Sequence, residues 1–278
     1  MSSASPVLTV PDATVVGSPV LRESSGDIAV LILNRPRARN TLSEAMLQAL
    51  RRALADIAEE KAVRAVVLAA KGSVFSAGHD LKELTAHRSE ADGGRGYTQH
   101  IMQICSAMML SIPRLPQPVI AAVEGTATAA GCQLVATCDL AVTSSAAKFS
   151  TPGVHIGLFC STPMVALSRN VGRKHAMEML ITGDTISADD AYRIGLVNRV
   201  VDPGMARQHA LRLAQKISAK SPAVIKLGKE AFYRQLEMGI ADAYAYAGEV
   251  MVQNMMARDA AEGISAFLEK RPPNWHNR

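Results

Sequence analysis

Apolar and polar positions alternate along the first part of the chain with periods typical of strands and then of a helix. Two apolar runs, Val20–Glu23 and Ile28–Asn34, flank a Ser-Ser-Gly-Asp turn and predict a β-hairpin. Apolar side chains then recur at helical spacing over residues 42–57. The residues Thr41–Glu44 form a capping-box pattern, which predicts that this helix begins at Thr41 and ends near Lys61.

Four more strand signals and one more helix signal follow in the first 160 residues. Val63–Ala70 is almost entirely apolar, which is typical of a strand covered on both faces of its sheet. Val119–Val123 has the same character and precedes a helical segment at about residues 129–137. Shorter β-type runs at Ala141–Thr143 and Phe149–Ser150 continue the series. This alternation of strand and helix predicts an α/β fold.

The second part of the chain is mainly helical. Helical patterns separated by Pro, Gly and Ser-Pro signals occupy residues 162–171, 173–182, 187–194, 204–219, 222–236, 239–257 and 259–269. We therefore divide the chain into a loose N-terminal arm (1–19), an α/β core (20–200) and a helical C-terminal region (201–278). Residues 85–100 are polar and glycine-rich, and we expect them to form a mobile surface segment.

Composition excludes several classes of protein. The chain has 278 residues, of which 48% are hydrophobic and 20% are charged. A chain of this length buries enough of its surface to fold without disulfides or a metal. The four cysteines form no C-x-x-C pair, and we expect no metal site. No apolar run reaches the roughly 20 residues of a membrane span, and the first 20 residues carry no Lys or Arg. We therefore expect no membrane association and a reduced, cytosolic compartment.

The net charge of +5 does not indicate a nucleic-acid partner. Basic residues are scattered among acidic ones, and aromatic residues make up only 4% of the chain. Nucleic-acid binders usually show a clustered basic stripe or stacking aromatics. The excess positive charge would equally suit a small polyanionic ligand.

Two segments of small residues are the candidates for chemistry. In residues 72–84 a predicted strand is followed by small residues, a turn at Gly78 and a predicted helix. Such a turn can expose backbone N–H groups to a ligand. In residues 123–134 six consecutive small residues precede a helix and allow very close approach of a backbone or a ligand. Taken singly, each segment could also be an ordinary strand-to-helix connection.

Together these segments resemble the enoyl-CoA hydratase/isomerase family, also called the crotonase family. The resemblance covers roughly residues 20–275 and is closest to one poorly characterised branch of the family. Further matching segments are residues 34–40, Cys138–Ala141, Ile181–Asp184 and Phe267–Arg271. The resemblance implies a spiral of stacked ββα units, C-terminal helices that build a homo-trimer or hexamer, and an acyl-CoA ligand. Coenzyme A would enter as part of the thioester substrate, with no permanently bound cofactor.

The resemblance also implies how such a protein would act. A thioester carbonyl sits between two backbone N–H donors, which stabilise the enolate oxyanion formed in the reaction. By position these donors are His79 and Ala130. A change of side chain barely alters a backbone donor, so His79 can replace the small residue usual in the family. Ala130 can replace the usual glycine if its φ is negative.

The sequence departs from the family at the acid–base positions. Family hydratases use two glutamates to activate water, and here Gln133 and Gly153 stand in their places. Glutamine cannot take a proton near neutral pH, and glycine has no group to offer. His155 could serve as an acid or base if the backbone after Gly153 is extended, because residues i and i+2 then face the same side. It could equally be a surface or structural histidine.

Other polar residues near the inferred site have alternative interpretations. Cys132 and Cys160 are either small buried residues or nucleophiles. Asp80 and Glu83 are either helix-end charges or bases. Residues expected to contact coenzyme A are Arg37, Ala38, Ser76, Gly78 and Lys82, with Lys270 and Arg271 contributed by a neighbouring subunit.

Two functional hypotheses remain open at this point. The first is an acyl-CoA enzyme of the hydratase/isomerase type that stabilises a thioester enolate. The alternative is a non-catalytic acyl-CoA-binding protein that has kept the pocket and lost the acid and base. The intact oxyanion segments favour the first hypothesis, whereas Gln133 and Gly153 favour the second.

Overall fold

The computed structural model describes residues 17–276, so all but the last three residues of the predicted N-terminal arm lie outside it. Strands β1 (Val20–Ser25) and β2 (Ile28–Leu33) form the expected antiparallel hairpin. Helix α1 (Glu44–Glu59) follows. It is capped by Ser43, whose Oγ accepts a hydrogen bond from the N–H of Met46, so the predicted start at Thr41 is wrong by two residues.

The remaining strands are divided between two sheets. They are β3 (Ala65–Ala70), β4 (Val74–Ser76), β5 (Val119–Val123), β6 (Thr126–Thr128), β7 (Leu140–Ser144), β8 (Lys148–Ser150), β9 (Ile186–Ser187) and β10 (Arg199–Val201). The large sheet has the order β1-β2-β3-β5-β7-β10, and the small sheet has the order β4-β6-β8-β9. Each of the pairs β3/β4, β5/β6 and β7/β8 therefore places one strand in each sheet. This repetition stacks successive units of the chain on one another.

The helices largely follow the sequence pattern. They are α2 (Leu81–Ala86), α3 (Arg95–Arg114), α4 (Ala130–Thr137), α5 (Ser161–Asn170), α6 (Arg173–Thr182), α7 (Ala188–Arg193), α8 (Ala206–Ser218), α9 (Pro222–Gln235), α10 (Ile240–Met255) and α11 (Arg258–Leu268). Each of the seven helical patterns predicted after residue 160 corresponds to one of α5 to α11. Within residues 17–276 no helix has the length and apolar character needed to cross a bilayer.

Helix α3 is the main difference from the predicted elements. We expected residues 85–100 to form a mobile surface segment, but helix α3 begins within that segment, at Arg95. Ile101, Cys105, Met108 and Ile112 recur at intervals of three and four residues and are all buried. The helix is therefore stabilised by packing of one apolar face on the core. The polar residues of its first turn gave no sign of this apolar face.

Helices cover both faces of the large sheet. One face packs into the main core with α1, α3 and α4. The opposite face, which includes Ile28, Val30 and Val67, packs against Ala210 and Ala214 of α8. This two-sided cover explains why β3 is apolar throughout. Helix α8 thus contacts the core although it lies beyond residue 200, and the division of the chain at that residue remains a prediction.

Candidate active site

The two small-residue segments lie directly against each other. Strands β4 and β6 are parallel neighbours in the small sheet. A Cβ atom added to Gly125 would lie 2.0 Å from the carbonyl oxygen of Ser73, and one added to Gly131 would lie 2.2 Å from that of Ser76. Both glycines are therefore required by backbone-to-backbone contact, which holds the start of α4 against the end of β4.

Gly78 continues this contact into the turn after β4. Its φ is +86°, and an added Cβ would lie 2.9 Å from the Cβ of Ala129 and 3.1 Å from the backbone nitrogen of Ala130. The Thr128 hydroxyl also donates a hydrogen bond to the carbonyl of Ala77, at 3.2 Å. The turn that precedes His79 is therefore packed against the first turn of α4.

This packing brings two free backbone donors to neighbouring positions. His79 lies between β4 and α2, and Ala130 is the first residue of α4. Among the described residues, neither backbone N–H donates to a protein acceptor, whereas the N–H of Ala129 donates to the Ser150 carbonyl at 3.0 Å. Ala130 has a negative φ, which meets the condition set for alanine at this position. Two such donors can stabilise a developing oxyanion.

Ala129 has a strained backbone that sequence reasoning missed. Its φ is +49° and its ψ is −122°, a conformation that favours glycine. Such a conformation costs about 1–3 kcal/mol and persists only where surrounding contacts impose it. Here the hydrogen bond to Ser150 and the contact with Gly78 hold the residue in place.

The predicted coenzyme A residues of the first segment are held close together. The Ser76 hydroxyl donates to the Asn40 carbonyl at 2.9 Å, and the Gly78 N–H donates to the Ser76 oxygen at 3.3 Å. These bonds fasten the turn that contains Arg37 and Ala38 to the turn after β4. Arg37 is exposed and Ala38 is partly buried. The arrangement leaves the guanidinium at the surface, where it can meet a phosphate.

The acidic residues near this turn act as helix caps. Asp80 accepts hydrogen bonds from the backbone N–H groups of Lys82 and Glu83 at the start of α2. Glu83 accepts from the N–H of Glu44 at the start of α1, at 3.0 Å. Both carboxylates therefore stabilise helix N-termini, as their helix-end interpretation expects. Lys82 is exposed at the start of α2.

Gly153 has no room for a side chain. Gly153 lies in a short 3₁₀ helix, Pro152–Ile156. A Cβ there would lie 2.8 Å from the Leu158 carbonyl oxygen and 3.0 Å from the Sγ of Cys160. The following loop therefore occupies the space in which a side chain at position 153 would lie.

The condition on which His155 was considered as an acid or base is not met. Its backbone is in the 3₁₀ helix and is not extended. Residues 153 and 155 therefore do not face the same side, as they would in a strand. The ring Nε2 lies 2.9 Å from the carbonyl oxygen of Thr182, at the end of α6. This bond corresponds to the structural interpretation, in which His155 fastens the loop to α6.

Two other polar side chains of the site are buried without partners. Gln133 is only 5% exposed, and its Oε1 has no hydrogen-bond partner among the described residues. Both ring nitrogens of His79 are also buried and unpartnered there. Burial lowers the pKa of His79, and a smaller effect of the Leu42 backbone opposes the shift. The imidazole is therefore neutral at pH 7.

The cysteines do not have the properties of nucleophiles. Cys132 is fully buried, and burial raises the pKa of its thiol to about 12. Burial also raises the pKa of Cys160. Because the thiolate is the reactive form, both residues act as small apolar groups at neutral pH. Residues 17–276 contain no cluster of His, Cys, Asp or Glu suited to a metal ion.

The remaining two predicted coenzyme A residues lie elsewhere in the chain. Lys270 and Arg271 follow α11, and both are exposed. Arg271 forms ion pairs with Glu262 and Glu269, at 2.7 and 2.6 Å. Hydrogen bonding from Arg271 lowers the pKa of Glu262 to about 2. A phosphate at Arg271 would therefore compete with two carboxylates of the same chain.

The sequence and the fold place this chain in a known class of protein. The family model for enoyl-CoA hydratase/isomerase matches residues 23–278, and the chain belongs to that family. The rat protein named enoyl-CoA hydratase domain-containing protein 3, mitochondrial, is 48% identical over 254 residues, which cover 91% of this chain and 83% of that protein. This relative confirms the branch that the sequence resembles.

Solved structures confirm the predicted fold. A crystal structure of an enoyl-CoA hydratase from Mycobacterium smegmatis has a TM-score of 0.88 and 55% identity, and the match covers 93% of this chain and 99% of that chain. The crystal structure of human enoyl-CoA hydratase domain-containing protein 3 has a TM-score of 0.87 and 46% identity. That match covers 92% of this chain and all of the human chain.

The relatives contradict one expectation from the sequence. Cysteine usage and the lack of Lys and Arg in the first 20 residues predicted a cytosolic compartment. The rat, mouse, frog and human relatives are all named as mitochondrial proteins. The cytosolic prediction is therefore wrong by this comparison.

Proposed function

We propose that this protein binds acyl-CoA thioesters and stabilises their enolate with the backbone N–H groups of His79 and Ala130. The observation that carries this proposal is the pair of free donors on two segments packed against each other. Donors that are fixed before the reaction need no reorganisation when charge develops on the thioester oxygen. Glycines 125 and 131 supply that rigidity, because the backbones they join are in direct contact.

The proposed reaction differs from ordinary two-carboxylate hydration. Gln133 is neutral and Gly153 has no side chain, so neither can take a proton from water. The space beside Gly153 is filled by Leu158 and Cys160. The chemistry that remains is proton removal and return on the acyl chain, which needs an oxyanion site and one proton carrier. Isomerisation of an enoyl thioester is a reaction of this kind.

Coenzyme A would lie along the turn that contains Arg37, and Lys82 at the start of α2 would be a second cation for its phosphates. Both cations are exposed, and Ser76 and Gly78 hold the turn in place. Charge-assisted hydrogen bonds between such side chains and phosphates are stronger than neutral ones. Lys270 and Arg271 would reach the nucleotide of a neighbouring subunit after Arg271 exchanges its carboxylate partners.

We also propose that the C-terminal helices assemble the protein into a trimer or hexamer. These helices expose many large apolar side chains: Phe232, Leu236, Ile240, Tyr244, Met251, Val252, Met256, Phe267 and Leu268. Helix α10 contacts both α9 and α11, and many exposed apolar side chains on neighbouring helices are typical of an interface between proteins. Sedimentation velocity of the full chain tests the proposal, and a stable monomer would contradict it.

Two variants of Ala130 test the oxyanion proposal. Ala130→Pro removes one N–H donor at the first helical position, where proline is tolerated. Ala130→Gly keeps the donor and serves as the matched control. We expect calorimetric titration with crotonyl-CoA and butyryl-CoA to show weakened binding for the proline variant only, once circular dichroism confirms its fold. Unchanged affinity of a folded Ala130→Pro protein would disprove the assignment of this donor.

A non-catalytic acyl-CoA-binding role is the second candidate. The filled space beside Gly153 and the neutral Gln133 favour it, because they remove the family's acid and base together. The two candidates predict the same affinities for acyl-CoA. They differ in whether protons of a bound acyl chain exchange with solvent.

A further inference from the structure

The imidazole of His79 is the polar group of the site that needs the most explanation. Both of its ring nitrogens are buried and have no hydrogen-bond partner within residues 17–276. Unpaired buried polar groups are rare in folded proteins, because each one loses its hydration without gaining a partner unless a ligand or water completes it. The Leu42 backbone lies beside the ring and is the group that opposes the lowering of its pKa.

The position of the ring ties it to the proposed oxyanion site. It belongs to the same residue as one of the two free N–H donors, so covalent geometry holds it within one side-chain length of that donor. Gln133, whose Oε1 is likewise buried and unpartnered, lies one turn along α4 from Ala130. Because side chains of a helix lean toward its N-terminus, the amide points back toward the Ala130 end.

We propose that the His79 imidazole carries the proton in this site, taking it from the α-carbon of a bound acyl thioester. This inference rests on the proposed function. The α C–H bond breaks, its electron pair moves onto the thioester oxygen, and the proton binds an imidazole nitrogen. The imidazolium then returns the proton to the α-carbon, or to the γ-carbon of a 3-enoyl chain to give the 2-enoyl isomer. No other reactant is consumed.

The surroundings keep the ring in the form that this role requires. Burial lowers its pKa, so the neutral base is the main form at pH 7. The nearby charges are otherwise engaged: Asp80 caps α2 and accepts from Thr41, and Glu83 caps α1. Lys82 is exposed, and no charged group contributes to the shift of His79. We therefore expect the rate to fall only below the usual histidine pKa, as acid protonates the base.

The test measures proton exchange and binding in the same proteins. Wild type, His79→Ala and His79→Asn are incubated with 3-butenoyl-CoA and 3-octenoyl-CoA in D2O, and deuterium incorporation and isomerisation are followed by mass spectrometry. Butyryl-CoA and octanoyl-CoA report affinity by calorimetry. His175→Ala, which removes an exposed histidine of α6, is the matched control. Both His79 variants keep the backbone N–H, and asparagine also preserves much of the side-chain volume.

We expect both His79 variants to lose about 10²–10⁴-fold in exchange rate with unchanged affinity, as removal of a general base does. Added imidazole should restore part of the rate in His79→Ala, which a structural role would not produce. Wild-type exchange by either variant would overturn the inference, as would wild-type protein that binds acyl-CoA without exchange. Failure to bind any of the acyl-CoA probes would instead overturn the proposed function itself.

Discussion

The two sides of the candidate site use different parts of the chain. On the side that we propose for the oxyanion, the groups are the backbone N–H groups of His79 and Ala130, held in place by glycines in backbone contact. On the side that we propose for the acid and base, the resemblance implies that Gln133 and Gly153 stand where family hydratases have glutamate side chains. Backbone groups persist when a side chain changes, whereas a carboxylate is lost in one substitution. The comparison explains how one half of a site can stay intact while its partner changes.

The difference extends to how each side is packed. Around Gly131 the contacts are between backbones and leave no space for a Cβ. Around Gly153 the contacts come from a loop, where the Leu158 carbonyl and the Cys160 side chain fill the space. A loop can move into the space that a missing side chain leaves. Two backbones in direct contact cannot move apart as readily to make room for an added side chain.

The largest expected effect is on hydration. Wild-type protein should hydrate crotonyl-CoA about 10⁴-fold or more slowly than a two-glutamate hydratase, because each missing acid–base group typically costs about 10²–10⁴. The loss of absorbance of the conjugated thioester measures the rate, with a two-glutamate family member assayed in parallel. Comparable turnover of the two proteins would show that a base exists that this comparison overlooks.

The rigidity of the oxyanion side can be tested at Gly131. Gly131→Ala should destabilise the protein by about 3 kcal/mol or more, since its Cβ would meet the Ser76 carbonyl at 2.2 Å. Gly228→Ala in α9 is the matched control, because nothing lies within 4 Å of its added Cβ. It should stabilise by up to about 1 kcal/mol. Urea denaturation measures both, and equal stability of the two variants would refute the packing argument.

The adaptability of the acid–base side can be tested at Gly153. Gly153→Ala should cost about 1–3 kcal/mol, because a loop can shift by part of the required distance. The double variant Gln133→Glu, Gly153→Glu should remain a poor hydratase, since the second carboxylate has no space in which to reach the substrate. Gln133→Glu alone is the control for burying one carboxylate. Hydration by the double variant at the rate of a family hydratase would contradict this view of the loop.

The smallest expected effect distinguishes two adjacent alanines. Ala129→Gly should stabilise the protein by about 1 kcal/mol, because glycine adopts a φ of +49° without strain. Ala130→Gly should destabilise it by about 0.5–1 kcal/mol, because Ala130 has a negative φ in a helix. Thermal unfolding monitored by circular dichroism measures both changes. Shifts of the same sign would show that Ala129 is not strained.

Much of the fold could be predicted because it depends on local patterns. The hairpin of β1 and β2, the apolar strand β3 and the helices α5 to α11 follow from periods and breakers that involve residues a few positions apart. The error at α1 is also local: Thr41 and Ser43 are both suitable caps, and only Ser43 accepts from the third N–H of the helix. Helix α3 was missed because its polar first turn hid an apolar face that packs on the core.

The candidate site was predictable only in part, for the same physical reason. The small residues of its two segments and the substitutions at Gln133 and Gly153 are visible along the chain. What those residues contact is not visible, because the partners come from distant positions. Ser76 binds Asn40, 36 positions away, and His155 binds Thr182, 27 positions away.

The sequence by itself therefore determined the class of fold, the family and the chemical identity of each group at the site. Tertiary structure alone decided that His155 is an anchor, that the space beside Gly153 is filled, and that the ring of His79 is buried and unpartnered. Local periodicity records which face of an element is buried, since every turn of a helix repeats it. Burial and hydrogen bonding of one side chain depend on which distant segments close around it, and no repeating pattern records that.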